Sequence, residues 1–210
     1  ILTSVNMFSQ NTLSALVRCR QMCVAASLLL KDLKAYENKL PTSTSELPDL
    51  KRGSKIDQVC QHLISGLANQ GKDKRRKLVF CHYLGTMDII QEQLIARGYT
   101  LGRISGKTSR CARRVILDGK PDVLLLQIRT GCEGLNLQEY SDVYFVTPHW
   151  NPAVEKQAIG RCHRMGQTKR VRVFRFVMNK TGSEGISLDE LCVRTQFKKE
   201  EMAKIVPIQG

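Results

Sequence analysis

Residues Asn151–Phe176 read NPAVEKQAIGRCHRMGQTKRVRVFRF. Asn151 can cap a helix, Pro152 suits its first position, and Gly166 is placed to end it after Met165. Wound at about 100° per residue, Val154, Ala158, Ile159, Cys162 and Met165 fall within a sector of roughly 140°, a packing face. Gln157, Arg161 and Arg164 gather within about 60° beside it. Lys156 and His163 fall further round, toward water. Two guanidinium forks on one edge match phosphate oxygens and stay charged at any working pH, and the glutamine adds a neutral donor and acceptor. A solvated basic helix face would use the same residues.

Working outward, the same alternation of a strand-like run and an amphipathic run repeats. LVFCHY (78–83) is a short apolar run, TMDIIQEQLIARG (86–98) a helix closed by Gly98, YTLGRI (99–104) a strand and SRCARRVILDG (109–119) a helix closed by Gly119. DVLLLQI (122–128) and VYFVTP (143–148) are near-continuous apolar strands of the kind buried on both faces of a parallel sheet, and VRVFRFV (171–177) closes the series. The alternation predicts an α/β fold with an open parallel central sheet. On the amino-terminal side, residues 11–33 carry helical spacing, residues 39–53 read as a Pro/Ser/Thr-rich loop, and a helix capped by Ser54 runs through IDQVCQHLISGL. KDKRRK (72–77) reads as a solvated loop before the first strand. On the carboxyl side, SLDE is a capping box at Ser187 and Glu190 that opens a helix to about Ile205.

Composition bounds what such a fold could do. With 33 Lys and Arg against 19 Asp and Glu, the 210-residue chain carries +14, which points to a polyanionic partner or, more plainly, to charge that keeps the chain in solution. No apolar run approaches the length of a membrane span, and the first ten residues lack a signal-peptide pattern, so the expectation is a soluble intracellular protein. The eight cysteines form no Cys-x-x-Cys pair and have no ligand-spaced histidines, so no metal site is expected and a reducing compartment fits. Ligands of open parallel sheets bind outside the carboxyl ends of the strands, which directs attention to GKTS (106–109), RTGCEGLNL (129–137) and HWNP (149–152). GKTS is not a P-loop, because Leu101 stands where that motif needs its first glycine. Gly131 and Gly134 allow tight backbone approach and Asn136 can satisfy a loop amide, as they also would in a plain turn leaving a buried strand.

QAIGRCHRMGQ resembles the sixth helicase motif in the form typical of Swi/Snf-type ATP-dependent DNA translocases. Further segments match that family in order. KIDQVCQHL resembles its Ser-Lys-Ile helix, LVFCHYLGTMDIIQEQL its fourth motif, RISGKTSRCARR its Arg-Leu-Asp-Gly-Ser-Thr-Ser segment, RTGCEGLNL its fifth motif and HWNP its Trp-Asn-Pro step. ALVRCRQMC resembles its protrusion helix and the tail its brace helix, and the closest flavour is the helicase-like transcription factor and termination factor subgroup. Ser105 stands where the family has the aspartate of Asp-Gly, and Thr147 also replaces an aspartate.

The resemblance implies a RecA-like second motor lobe at 54–182, a helical protrusion and linker at 1–53, and a brace helix at 183–210. It implies ATP with Mg2+ as cofactor, bound to a first lobe outside this chain that carries the P-loop and metal ligands, so that the fragment alone is inactive. Arg161 and Arg164 are then arginine fingers at the sheet's ligand-binding rim, Gln157 organises that interface, and Gly131, Gly134 and Asn136 are cofactor-binding residues in the motif that couples nucleotide to DNA. Trp150, Arg129, Lys107, Thr108 and Ser109 are the implied contacts to double-stranded DNA, and Arg113 has a family counterpart too. Nucleosomes or DNA-bound proteins are further implied partners, no membrane is, and the nucleus or another DNA-containing compartment is the implied location. A non-catalytic nucleic-acid-binding module derived from the lobe, and an RNA or DNA unwinding helicase, are the alternatives.

Overall fold

The computed structural model describes residues 12–28, 55–68, 74–131, 134–179 and 185–205. Five strands, β1 (Arg76–Cys81), β2 (Leu101–Ile104), β3 (Val123–Gln127), β4 (Tyr140–Phe145) and β5 (Arg172–Arg175), form one sheet in the order β2-β3-β1-β4-β5. Every neighbouring pair is parallel, from Leu101 opposite Val123 at one edge to Phe145 opposite Arg175 at the other. The helices are α1 (Thr12–Val24), α2 (Lys55–Ala68), α3 (Leu84–Ile95), α4 (Arg110–Asp118), α5 (Ile128–Gly131), α6 (Pro152–Gly160) and α7 (Leu188–Ile205).

Alternate strand residues feed opposite faces. Val79, Val123, Leu125 and Tyr144 pack with α2 and α3 through Val59, Leu63, Ile90 and Leu94, and Val24 of α1 joins that cluster. Leu78, Phe80, Leu124, Leu126, Val143 and Phe145 pack on the other face with Ile116 of α4, Ala158 of α6 and Cys162. Burial on both faces is why these strands read as unbroken apolar runs. Ser54 and the 39–53 stretch lie outside the described residues. The capping box is formed: Ser187 N–H donates to Glu190 Oε2 at 2.8 Å, and Glu190 N–H donates to Ser187 Oγ at 3.0 Å.

Two strands begin earlier than apolar patterning indicates, for a shared reason. β1 starts at Arg76 and β4 at Tyr140, so Lys77 and Asp142 are strand residues, and both are fully buried. The end of KDKRRK is therefore not a solvated loop. Lys77 Nζ donates to Asp142 Oδ2 at 3.0 Å, Arg75 Nε to Oδ1 at 2.9 Å, and Arg172 Nε and Nη2 to Oδ1 and Oδ2 at 2.8 and 2.7 Å. One carboxylate thus neutralises a buried lysine and clamps β1, β4 and β5 together at their amino-terminal ends. Hydropathy cannot register such a residue, because its burial depends on partners far away in sequence.

Burial pushes the Asp142 carboxyl up, but the bonds from Arg172, Arg75 and Lys77 outweigh it and hold the group down at about 2. The folded value lies below the ordinary one, so the stabilisation is complete above about pH 4 and disappears as the pH falls toward 2. Asp142→Asn should lower unfolding stability by about 3 kcal/mol in urea melts at neutral pH, since it strands a buried ammonium. It should also flatten the acid limb of the stability profile in that window.

Candidate nucleotide and nucleic-acid interface

At the carboxyl end of β2, residues 105–109 make a closed turn. Thr108 N–H donates to Ser105 O at 3.0 Å, Ser105 N–H to Thr108 Oγ1 at 2.9 Å, and Lys107 N–H to Ser105 Oγ at 3.4 Å. Ser105 thereby accepts the turn bond that the family's aspartate would accept. Ser109 Oγ caps α4 by accepting from Ala112 N–H at 3.3 Å, and Arg113 Nε donates to Thr108 O at 2.9 Å, so Arg113 buttresses the turn. Lys107 is left exposed at its tip. Gly106 N–H donates to Gln127 Oε1 at 3.1 Å, which ties this turn to the end of β3. There the chain winds immediately into α5, with Ile128 buried and Arg129 exposed. The strand expected through Ile128 therefore stops one residue earlier. From the turn, an open cleft of about 660 Å3 runs between α4 and residues 134–139, lined by Arg110, Arg113, Arg114, Lys120 and Asn136 among others.

The loop after β4 is held from several elements. Arg20 of α1 donates through Nη2 to Pro148 O at 2.6 Å, and its guanidinium lies 5.4 Å from the centre of the Trp150 ring. Lys199 and Gln196 of α7 donate to Trp150 O at 3.1 Å and His149 O at 2.5 Å. Buried Glu155 accepts from His149 N–H at 2.8 Å, Gln196 Nε2 at 2.8 Å and Arg175 Nε at 2.8 Å. His82 stacks on His149 with centroids 5.4 Å apart. Burial, then the charges of Arg20 and His149, push the His82 pKa down to about 3; burial and Arg20 also lower that of His149, with Arg129 adding to the shift. Both rings are thus neutral at neutral pH, which lets them sit beside the arginines without repulsion.

Asn151 caps α6 as expected, accepting from Ala153 N–H at 3.0 Å, with Pro152 in the first turn. The helix does not reach Met165. It ends at Gly160, and Met165, expected on the packing face, is 96% exposed. The last turn tightens, with Arg161 and Cys162 N–H bonded three residues back to Ala158 O and Ile159 O, and the carbonyls beyond it are taken by other donors. Leu137 N–H donates to Arg161 O at 3.2 Å, and Gln167 Nε2 donates to Cys162 O, Gln138 O and Tyr140 O at 3.3, 2.9 and 3.2 Å. Gln138 Nε2 in turn donates to Met165 O. Gly166 adopts φ +94°, the left-handed region that reverses the chain there. Gln157 and Arg164 are exposed and Arg161 half-buried, but Arg164 lies beyond the helix rather than on its edge.

The position of this segment corrects a second expectation. Because α6 runs back along the sheet, Arg161–Gln167 lies beside Leu137–Tyr140, at the amino-terminal end of β4, and not at the carboxyl-end rim. The rim holds Lys107, Thr108, Ser109, Arg129 and Trp150 instead. The two regions are joined by residues 128–139, which leave β3 at the rim and arrive beside the arginines. Gly134 lies in this connection at φ +63°, a left-handed conformation that glycine adopts without strain, and no described side chain stands within 4 Å of where a Cβ would project. Asn136 Oδ1 accepts from Gln138 N–H at 3.4 Å, the loop amide expected of it, while Gly131 ends α5. Gln138 and Gln167 carry the stitching, and motif reading had passed over them. The signal was present for Gln167, the last residue of QAIGRCHRMGQ, but an amide that serves carbonyls is invisible until those carbonyls are located.

Residues 54–166 match the family described as helicase conserved C-terminal domain. The chain belongs to that family. It is 35% identical over 154 residues to the DNA repair protein RAD5A of Arabidopsis thaliana, covering 71% of this chain and 14% of that one. It is 31% identical over 182 residues to the chromatin-remodeling ATPase INO80 of Kluyveromyces lactis (84% and 12%) and 29% identical over 181 residues to the helicase-like transcription factor of Homo sapiens (80% and 17%). These relatives are Swi/Snf-type superfamily-two helicases, as the motif order indicated. The chain thus spans under a fifth of each relative's length. The crystal structure of the C-terminal part of the Fun30 ATPase domain superposes with a TM-score of 0.56 at 18% identity, over 84% of this chain and 63% of that one, which shows the RecA-like fold. Among the described residues no group of three or more His, Cys, Asp or Glu could hold a metal, and no helix is long and apolar enough to cross a membrane.

Gln167→Glu removes the donors that three carbonyls share and should cost about 1 to 3 kcal/mol of stability. Hydrogen exchange should show the loss concentrated at Leu137 and Gln167, whose amides pin the segment, while amides of β1 and β3 keep their protection.

Proposed function

We propose that this chain is the second motor lobe of an ATP-dependent double-stranded DNA translocase. In this reading residues 54–182 form the lobe, 1–53 a protrusion and linker, and 183–210 a brace. Arg161 and Arg164 meet the triphosphate of an ATP·Mg2+ held by a first lobe outside this chain, and Gln157 orders that contact. The cofactor supplies the phosphoanhydride bond whose cleavage drives the cycle. The arginines supply fixed positive charge where negative charge develops, an effect of about 10³ to 10⁵ in rate in related phosphoryl transfers. Lys107, Thr108, Ser109, Arg129 and Trp150 grip the DNA backbone at the rim, with no need to read bases.

The observation that carries this reading is the stitched connection 128–139. Its start adjoins the rim residues, and its end is hydrogen-bonded to the segment that bears both arginines. In this reading a change in how the arginines meet nucleotide is passed toward Arg129 through the chain that links the two regions. The Arg161–Gln167 segment lies away from its own sheet's carboxyl-end rim, where the sequence reading expected it, so the arginines act in this reading only if that flank is the one that faces the first lobe. Gly131, Gly134 and Asn136 belong to that connection and meet the nucleotide in this reading. The names of the relatives, a DNA repair protein and a chromatin-remodeling ATPase, support DNA, with nucleosomes or DNA-bound proteins as targets and the nucleus as the place of action.

In the chain joined to its upstream lobe, Arg164→Ala should reduce DNA-stimulated ATP hydrolysis by about 10³ or more while duplex binding persists. Wild-type turnover in that variant would refute the reading. Lys107→Ala and Arg129→Ala should each weaken duplex binding and lower the slope of log affinity against log salt by about one.

A further inference from the structure

We infer that Arg20 is the positioning residue of the Trp150 loop, and that helix α1 governs through it how the indole is presented to nucleic acid. The inference rests on the proposed DNA contact of Trp150. Arg20 is only 8% exposed although it carries a full charge, and it has no carboxylate partner among the described residues. What it meets instead is the loop: Nη2 donates to Pro148 O at 2.6 Å, and the guanidinium carbon lies over the Trp150 ring, 5.4 Å from its centroid. Its Nε finds no partner among the described residues. A buried guanidinium satisfied by one carbonyl and one aromatic face is expensive to keep, and the loop is what it holds in return.

The geometry makes Arg20 hard to replace. A single fork spans both the backbone at Pro148 and the ring two residues on, fixing the indole relative to the carbonyl. A lysine carries the same charge but presents one compact ammonium, which cannot occupy both places. Lys199 of α7 fixes only the Trp150 carbonyl at 3.1 Å and leaves the ring orientation to Arg20. Helix α1 lies more than a hundred residues earlier in sequence, so any partner or movement that shifts it would reorient the rim tryptophan without touching DNA.

Trp150 is the sole tryptophan of the chain, so its fluorescence reports the loop directly. The test uses the 210-residue chain with Arg20→Lys, Arg20→Met and Trp150→Ala, alone and combined, with a short duplex DNA as probe. Both Arg20 variants should shift Trp150 emission and increase its quenching by acrylamide. Each should weaken duplex binding about tenfold, and neither should weaken it further in the Trp150→Ala background. Arg20→Lys keeps the buried charge and stem, so it remains readable if Arg20→Met fails to fold. Unchanged emission and quenching in Arg20→Lys would overturn the inference, as would an equal loss of binding with Trp150 already absent. Altered quenching with duplex binding unchanged in every variant, Trp150→Ala included, would support the positioning role and refute instead the DNA contact on which it rests.

Discussion

Competition for a few backbone carbonyls at the end of α6 sets the arrangement on which the rest of this structure depends. An ordinary helix would have continued, its amides taking up the carbonyls of Arg161 and Cys162. Here Leu137 and the Gln167 side chain take them first. The helix stops, the chain turns outward, and two arginines are left on a short segment whose backbone is fixed at both ends. Guanidinium groups that act on a phosphate need a rigid base, because a displacement of about an ångström costs much of the benefit. The exchange of carbonyl partners supplies that base, and it also welds the segment to the connection arriving from β3.

Two candidate regions at opposite ends of one sheet, the rim and the arginine segment, are thus linked by the connection between β3 and β4. The rim carries exposed cations and an indole, and the far flank carries the arginine segment. Between them lie apolar strands packed on both faces, a medium that transmits displacement poorly in small increments and well in discrete steps. Gln127 at the end of β3 holds the Gly106 turn, and Gln138 just before β4 holds Met165.

Much of the fold was legible because burial on both faces writes itself into the sequence as apolar runs, and because caps are local. Asn151 and the Ser187–Glu190 box form the bonds their positions predict. The start of β1 and β4 was not legible, since Lys77 and Asp142 are buried only by virtue of each other. The site divides in the same way. Residue types and their order were readable from the motifs, as was the Gln138 amide that Asn136 serves. The end of α6 was not, because Gly166 looked like the stop while the carbonyls beyond Gly160 are taken by Leu137, 24 residues upstream, and by the side chain of Gln167, five residues downstream. The rule that ligands gather at strand carboxyl ends led the sequence reading to expect the arginines at the rim, whereas they lie beside the amino-terminal end of β4.

One ion pair bears on how the molecule comes into being. Lys55 Nζ meets Asp189 Oδ2 at 2.5 Å across 134 residues of chain, and both side chains are almost wholly shielded from water. Asp189 also accepts from Met178 N–H at 3.0 Å, which brings α7 against the end of the sheet. During synthesis Lys55 emerges long before its counter-ion exists. Until the last helix arrives, that ammonium must stay hydrated and the start of α2 cannot settle into its final place. The closing step of folding is thereby deferred until α7 has been made, and a product cut short upstream of it would leave the Lys55 ammonium at the start of α2 without its counter-ion.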